Sequence, residues 1–242
     1  MRTVRIFQAQ PPNIGQKLAL SPEASLHVGG VLRMQAGEFI TLFCGNNCEY
    51  NVLIEQVTKK QVVVLVKSEE EVNRESPRAL HLAQGISKGE RMEWVIQKAV
   101  ELGVTSITPI ITSRCVVRLT EDRFIKKHKQ WQSIAISACE QSGRNLIPSI
   151  NPITKIDNFL ADCNAAMKFI LSPMAQKTWR EIQVIPGDIS VLIGPEGGLT
   201  PEEVQQAQAS DFTSLALGPR ILRTETAAVV ALSILQAIAG DL

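Results

Sequence analysis

The segment Leu217-Gly-Pro-Arg-Ile-Leu-Arg-Thr-Glu-Thr226 gathers two guanidinium groups, Arg220 and Arg223, two hydroxyls, Thr224 and Thr226, and the carboxylate of Glu225. That polar density exceeds what a tight turn requires. Upstream, Leu192-Ile-Gly-Pro-Glu-Gly-Gly-Leu-Thr200 adds the carboxylate of Glu196 and the glycines Gly197 and Gly198, which let a backbone approach a ligand closely. A planar guanidinium stays charged and stabilises anions, and a carboxylate accepts protons or holds an arginine. Both segments follow a short apolar run that reads as a buried strand and both precede a helix, where α/β proteins present ligand-binding loops.

A glycine-rich loop between strand and helix first suggests a phosphate site. Here Pro195 and Pro201 remove donors and Glu196 adds negative charge, and neither Gly-x-Gly-x-x-Gly nor the lysine-bearing P-loop pattern occurs. A ligand that is uncharged or cationic at this point suits the loop better. Leu192, Ile193, Leu199, Leu217 and Leu222 are placed to wall a flat apolar slot. One such loop alone reads as a capped turn; two on neighbouring strands favour a shared pocket.

The elements that position these loops fall into two groups. Strand patterns at Val4–Phe7, Glu38–Phe43, Glu49–Val57 and Gln61–Val66, interrupted by one helix opening at Ser21-Pro22-Glu23, predict a small β-barrel. Ser68 to Pro77, acidic and closed by proline, reads as the linker. Beyond it strands alternate with longer helices: Leu80–Gln84, Met92–Leu102, Ser106–Ile111, a long amphipathic helix to about Gln141, then strands at Met167–Leu171, Ile189–Ile193 and Phe212–Leu217. Thr200-Pro-Glu-Glu203 is a capping box, and a last helix runs to Ala239. Such alternation predicts a parallel sheet in an α/β fold.

Lys and Arg outnumber Asp and Glu seven to four over residues 1–67 and twelve to six over 76–155, whereas 156–242 carries five against ten. Contact with a polyanion or a solvated helix surface both produce this asymmetry. Five scattered cysteines fit a reducing compartment, and Cys44 and Cys48, which flank a turn, read as incidental thiols of a hairpin, so no metal is expected. A membrane span and a secretion signal are not expected, and the cytoplasm is the default location.

Ile193-Gly-Pro-Glu-Gly-Gly-Leu199 and Leu217-Gly-Pro-Arg-Ile-Leu-Arg-Thr-Glu-Thr-Ala227 resemble the two cofactor-loop motifs of the bacterial small-subunit ribosomal RNA uridine-1498 N3-methyltransferase family, RsmE, within the SPOUT superfamily. Val31-Leu-Arg-Met34, Lys88-Gly-Glu-Arg-Met-Glu93, Gln97-Lys-Ala-Val-Glu-Leu-Gly103, Ser113-Arg-Cys115 and Ala138-Cys-Glu-Gln-Ser-Gly-Arg-Asn145 are also similar to family segments, so the resemblance spans the chain.

The resemblance implies a PUA-like RNA-binding β-barrel over residues 1–72 and a SPOUT α/β domain over 73–242, its parallel sheet closed by a deep trefoil knot. It implies S-adenosylmethionine as cofactor, 16S rRNA in the small ribosomal subunit as partner, and a homodimer. The cofactor site carried over comprises Leu171, Ser172, Pro173, Leu192, Ile193, Gly194, Glu196, Gly197, Gly198, Leu217, Gly218, Arg220, Leu222, Arg223, Thr224 and Thr226. Arg223 is the candidate for stabilising the uridine anion and Glu196 for accepting the proton. Arg2, Arg5, Arg33, Lys88, Arg91, Arg114, Arg118 and Arg144 are expected to contact RNA phosphates. A ribose 2′-O-methyltransferase of the same superfamily and a non-catalytic RNA-binding assembly factor are the alternatives.

Overall fold

The computed structural model describes residues 3–115 and 121–242. The chain divides into two compact units, one of residues 1–75 with 139–147, the other of 76–138 with 148–242.

The first unit is a five-stranded mixed sheet of order β1-β3-β4-β5-β2, with β1 at Arg5–Phe7, β2 at Lys17–Ala19, β3 at Phe39–Phe43, β4 at Cys48–Val57 and β5 at Val62–Glu71. Only the β1–β3 pairing is parallel. The edge strands β1 and β2 end the order and are not paired with each other among the described residues. Ile40 and Leu42, Val52 and Ile54, and Val62, Val64 and Val66 recur at two-residue spacing, which puts each set on one face, and together they form the core with Ile6 and Tyr50.

Two local expectations change here. The acidic stretch Ser68–Glu71 is not a linker: it continues β5, because the ten-residue β4 supplies ladder partners as far as Cys48 opposite Glu71. Polar composition marked the solvent-facing end of a strand. The helix opening at Ser21, whose hydroxyl caps the Ala24 N–H, is regular only over Pro22–Ser25 (α1) and then widens into a π-type turn over Leu26–Val31. Gly29 and Gly30 lie in that turn, and glycine pairs hold α-helical geometry poorly.

The second unit carries a parallel sheet of order β12-β10-β11-β6-β7-β8, with short β9 also pairing β7. Its strands are β6 Leu80–Gly85, β7 Ser106–Ile111, β8 Ser149–Ile150, β9 Thr154–Lys155, β10 Met167–Leu171, β11 Ile189–Ile193 and β12 Thr213–Leu215. The helices are α2 Arg91–Glu101, α3 Glu121–Ser142, α4 Ile156–Asp162, α5 Pro201–Ala209 and α6 Thr224–Ala239, the end of α3 clustering with the first unit. Every residue of the central strand β11 is buried, as a strand covered on both faces requires. Composition gave no sign of α4, a seven-residue helix without a side-chain cap.

From β6 the chain continues to its neighbour β7; from β11 it continues to β12, beyond β10 on the other side. Connections that diverge in this way open a crevice at the carboxyl ends of the strands.

Candidate active site

The loops that leave β10, β11 and β12 enclose a cavity of about 700 Å3. Leu171, Ser172 and Pro173 line it from β10, Ile193, Gly194, Glu196, Gly197 and Gly198 from β11, and Leu217, Gly218, Arg220, Leu222, Arg223 and Thr224 from the segment that enters α6. Sequence reasoning thus located most of one wall. Two residues fall outside it. Leu192 is fully buried in the core with Ala83, Ile110 and Ile170, because strand alternation turns it away from the face that Ile193 presents. Thr226 is exposed one position past the lining residue Glu225, on another face of α6. Pro195, Met174, Val204, Leu215, Ile221, Glu225 and Ala227, which were not among the expected cofactor-site residues, also line the cavity.

The β11 loop is held from three directions. Thr224 Oγ1 donates to the Gly194 carbonyl at 2.6 Å and accepts from Gln84 Nε2 at 2.9 Å, and both side chains are buried. The hydroxyl is therefore committed to the protein itself. At the end of β6, a Cβ on Gly85 would lie 2.4 Å from Pro195 N, so only glycine allows the loop to pass there. Arg114 Nη1 donates to the carbonyls of Gly197 (3.1 Å) and Leu199 (3.3 Å). Glu203 anchors the next turn: its carboxylate accepts from Thr200 N at 2.8 Å, completing the capping box, and from Ser113 N at 2.7 Å, beside Arg114.

Glu196 has a comparable holding role. Its Oε1 accepts from the Lys88 N–H and from Arg91 Nη1, both at 2.8 Å. Burial by itself pushes its carboxyl up, but those donors outweigh burial and hold it below the usual carboxylate range. A carboxylate so stabilised is a weaker base, and Glu196 is seen here holding an arginine. Arg91 also reaches toward Glu225, Nε to Oε1 at 3.9 Å, so one guanidinium faces a carboxylate from each of the two loop segments. Arg223 is exposed on the cavity wall at the N-cap of α6, with no hydrogen bond or ion pair of its side chain among the described residues.

The expected RNA-contacting residues separate by burial. Arg33, Lys88, Arg91 and Arg114 are exposed, the last two on the cavity itself. Arg5 and Arg144 are not available as surface cations. The Arg5 guanidinium pairs with Glu49, donates to Asn145 Oδ1 at 2.6 Å and lies over the Phe43 ring; Arg144 is buried against Glu75. Both charges are used inside the first unit, which no charge count along the sequence distinguishes from surface charge. Arg2 and Arg118 lie outside the described residues. Burial, then the negative charge of Cys48 and Glu69, push the Cys44 thiol up to about 11, and no His/Cys/Asp/Glu group of metal-binding size occurs among the described residues. No described helix is long and apolar enough to cross a membrane.

This fold and this site define an RNA methyltransferase: residues 74–236 match the family described as RNA methyltransferase domain. A ribosomal RNA small subunit methyltransferase E of Buchnera aphidicola is 36% identical over 100% of this chain and 98% of its own. Among solved structures, a Legionella pneumophila methyltransferase in complex with SAM is 53% identical, with a TM-score of 0.98 and full coverage of both chains. A ribosomal RNA small subunit methyltransferase E from Neisseria gonorrhoeae, bound to S-adenosyl methionine, is 37% identical with a TM-score of 0.93, again over the whole of both chains. The chain belongs to the ribosomal RNA small subunit methyltransferase E family.

Proposed function

We propose that this chain methylates N3 of a uridine, uridine 1498, in the 16S rRNA of the small ribosomal subunit. The cofactor is S-adenosylmethionine. The observation that carries the reading is a cavity with apolar walls and cationic groups, set at the diverging strand ends of a member of this family. Leu171, Ile193, Leu217 and Leu222 suit a flat heteroaromatic ring, while Arg91, Arg114, Arg220 and Arg223 suit a polyanionic substrate. The backbone of Gly194 to Gly198 and of Leu217 to Leu222 would hold the cofactor edges. When bound, S-adenosylmethionine supplies an activated methyl group on a good leaving group.

The imide N3–H of uridine is weakly acidic, and its loss places negative charge on the flanking carbonyl oxygens. Arg223, unpaired and on the wall, stabilises that charge. Arg114, Glu203 and Thr224 keep the β11 loop in place, so orientation supplies a large part of the rate. Arg33 and Lys88 dock phosphates and set register.

The same reading takes residues 1–72 as a PUA-like RNA-binding barrel and 73–242 as a SPOUT domain whose end is threaded through a deep trefoil knot. The protein works as a cytoplasmic homodimer; half-buried Val229, Val230 and Ile234 on α6 support an apolar interface. The test is incubation of unmodified small subunits with labelled S-adenosylmethionine, followed by nucleoside analysis and mapping. N3-methyluridine at one position is expected; a ribose-methylated product would replace this reading by 2′-O-methylation, and no transfer would leave RNA binding alone.

A further inference from the structure

Glu225 differs from the other acidic group of the cavity. It stands in the first turn of α6 and lines the cavity wall. Its Oε1 faces Arg91 Nε at 3.9 Å, beyond hydrogen-bond length, and its Oε2 is shut off from water with no hydrogen-bond partner among the described residues. Glu196, by contrast, has two donors on one oxygen. A desolvated carboxylate oxygen without a donor gains most from a ligand that brings one. The last torsion of a glutamate is broad, so either oxygen can be turned toward the cavity.

The charged groups that line the cavity with it are Arg91 from α2, Glu196 from the β11 loop, Arg220 and Arg223 from the segment before α6, and Arg114 from the loop after β7, Arg91 being the one that faces it. The pairing edge of uracil offers an acceptor, a donor and an acceptor: O4, N3–H and O2. A carboxylate on the same wall as the guanidinium groups of Arg91 and Arg223 offers the complement, an acceptor accompanied by donors. Cytosine would present its bare N3 lone pair to the same carboxylate.

We propose that Glu225 is the catalytic base, which accepts the N3–H of the target uracil and takes its proton as the methyl group moves. The N3–H bond breaks and an O–H bond forms on Glu225. The freed electron pair on N3 forms the bond to the methyl carbon, and the carbon–sulfur bond breaks with its pair left on sulfur. One carboxylate charge and one sulfonium charge disappear together, which balances the step.

This inference rests on the uridine-N3 reading, so the wild-type product is identified first. With small subunits as substrate, Glu225→Gln is expected to lower kcat by about 10²- to 10⁴-fold, with S-adenosylmethionine affinity by calorimetry close to wild type. The residual rate should rise with pH as the imide ionises unaided. Subunits carrying 5-fluorouridine, a more acidic imide, should narrow the gap between variant and wild type, and Glu225→Asp should recover part of the rate. Wild-type turnover in the Gln variant, affinity lost in proportion to rate, or no gain with the fluorinated substrate would each overturn the role of Glu225 while leaving the uridine reading in place. A wild-type product other than N3-methyluridine would overturn that reading, and this inference with it.

Discussion

Thr224 Oγ1 donates a 2.6 Å hydrogen bond to the carbonyl of Gly194, joining the first residue of α6 to the turn that leaves β11. The two motifs that sequence shows as separate loops are thereby one structural unit. Thr224→Val removes this donor and also one acceptor of the buried Gln84 amide, leaving the Gly194 carbonyl without this bond and Gln84 Nε2 with only the Gly85 carbonyl. A loss of about 1–3 kcal/mol in stability is expected, together with weaker cofactor binding, and Thr224→Ser should restore most of both. Denaturant unfolding and calorimetric titration of the same samples check this.

Gly85 sits on β6 and contacts no ligand in this reading, yet a methyl group there would overlap Pro195 N at 2.4 Å. Gly85→Ala should push the β11 loop out of place and abolish measurable S-adenosylmethionine binding in a folded protein. Near-normal affinity would show that the loop yields without cost.

Gly197→Val places a branched side chain on the cavity wall. In the structure its Cβ would meet Arg114 Cβ at 3.0 Å, so the damage passes through the arginine that holds the Gly197 and Leu199 carbonyls. Gly197→Val and Arg114→Ala should therefore be non-additive in cofactor affinity, with a coupling of about 1 kcal/mol in a double-mutant cycle. Strict additivity would assign Gly197 to the slot itself.

Arg223→Ala should retain cofactor and RNA binding while kcat and kcat/KM fall together by about 10²- to 10³-fold, as removal of a group acting on the developing anion does. Arg223→Lys should recover only part, since a point charge lacks the planar fork. Loss of cofactor affinity in step with activity would make Arg223 a binding residue.

Glu49 makes the first unit acid-sensitive. Burial opposes its charged form, but Arg74 and Arg5 outweigh it and hold its carboxyl below the ordinary value of 4.5. A depressed folded value contributes stability that is present above about pH 4.5 and is lost as pH falls through the lower folded value. Glu49→Gln should flatten that acid dependence and, at pH 7, destabilise by about 3 kcal/mol because Arg5 keeps a largely buried charge. Unfolding curves across the acid range measure both effects.

The two loops that line the cavity were legible because they are local. Glycines, prolines and a capping box fix backbone shape within a few residues, and Thr200 and Glu203 form the box that their spacing announces. Strands such as β11 and β10 were legible because a buried parallel strand is a continuous apolar run. The linker was drawn too long for a related reason: the last residues of β5 are polar and exposed, and only their partners on β4 reveal them as strand, while the division between the two units after Glu75 falls inside the expected segment.

What the sequence by itself determined is the set of elements, the two loops and the family they belong to; what only the tertiary structure decided is which side chains are free to act. Arg5 and Arg144 carry the same charge as Arg91 and Arg114, yet the first pair is buried in ion pairs and the second lies on the cavity, a difference made by residues far away in the chain. Glu196 and Glu225 look alike as acids of two loops. Long-range donors from Lys88 and Arg91 occupy Glu196, and an oxygen of Glu225 is left without one. Hydrogen bonds and burial between distant segments set proton affinity and availability, and no local pattern encodes them.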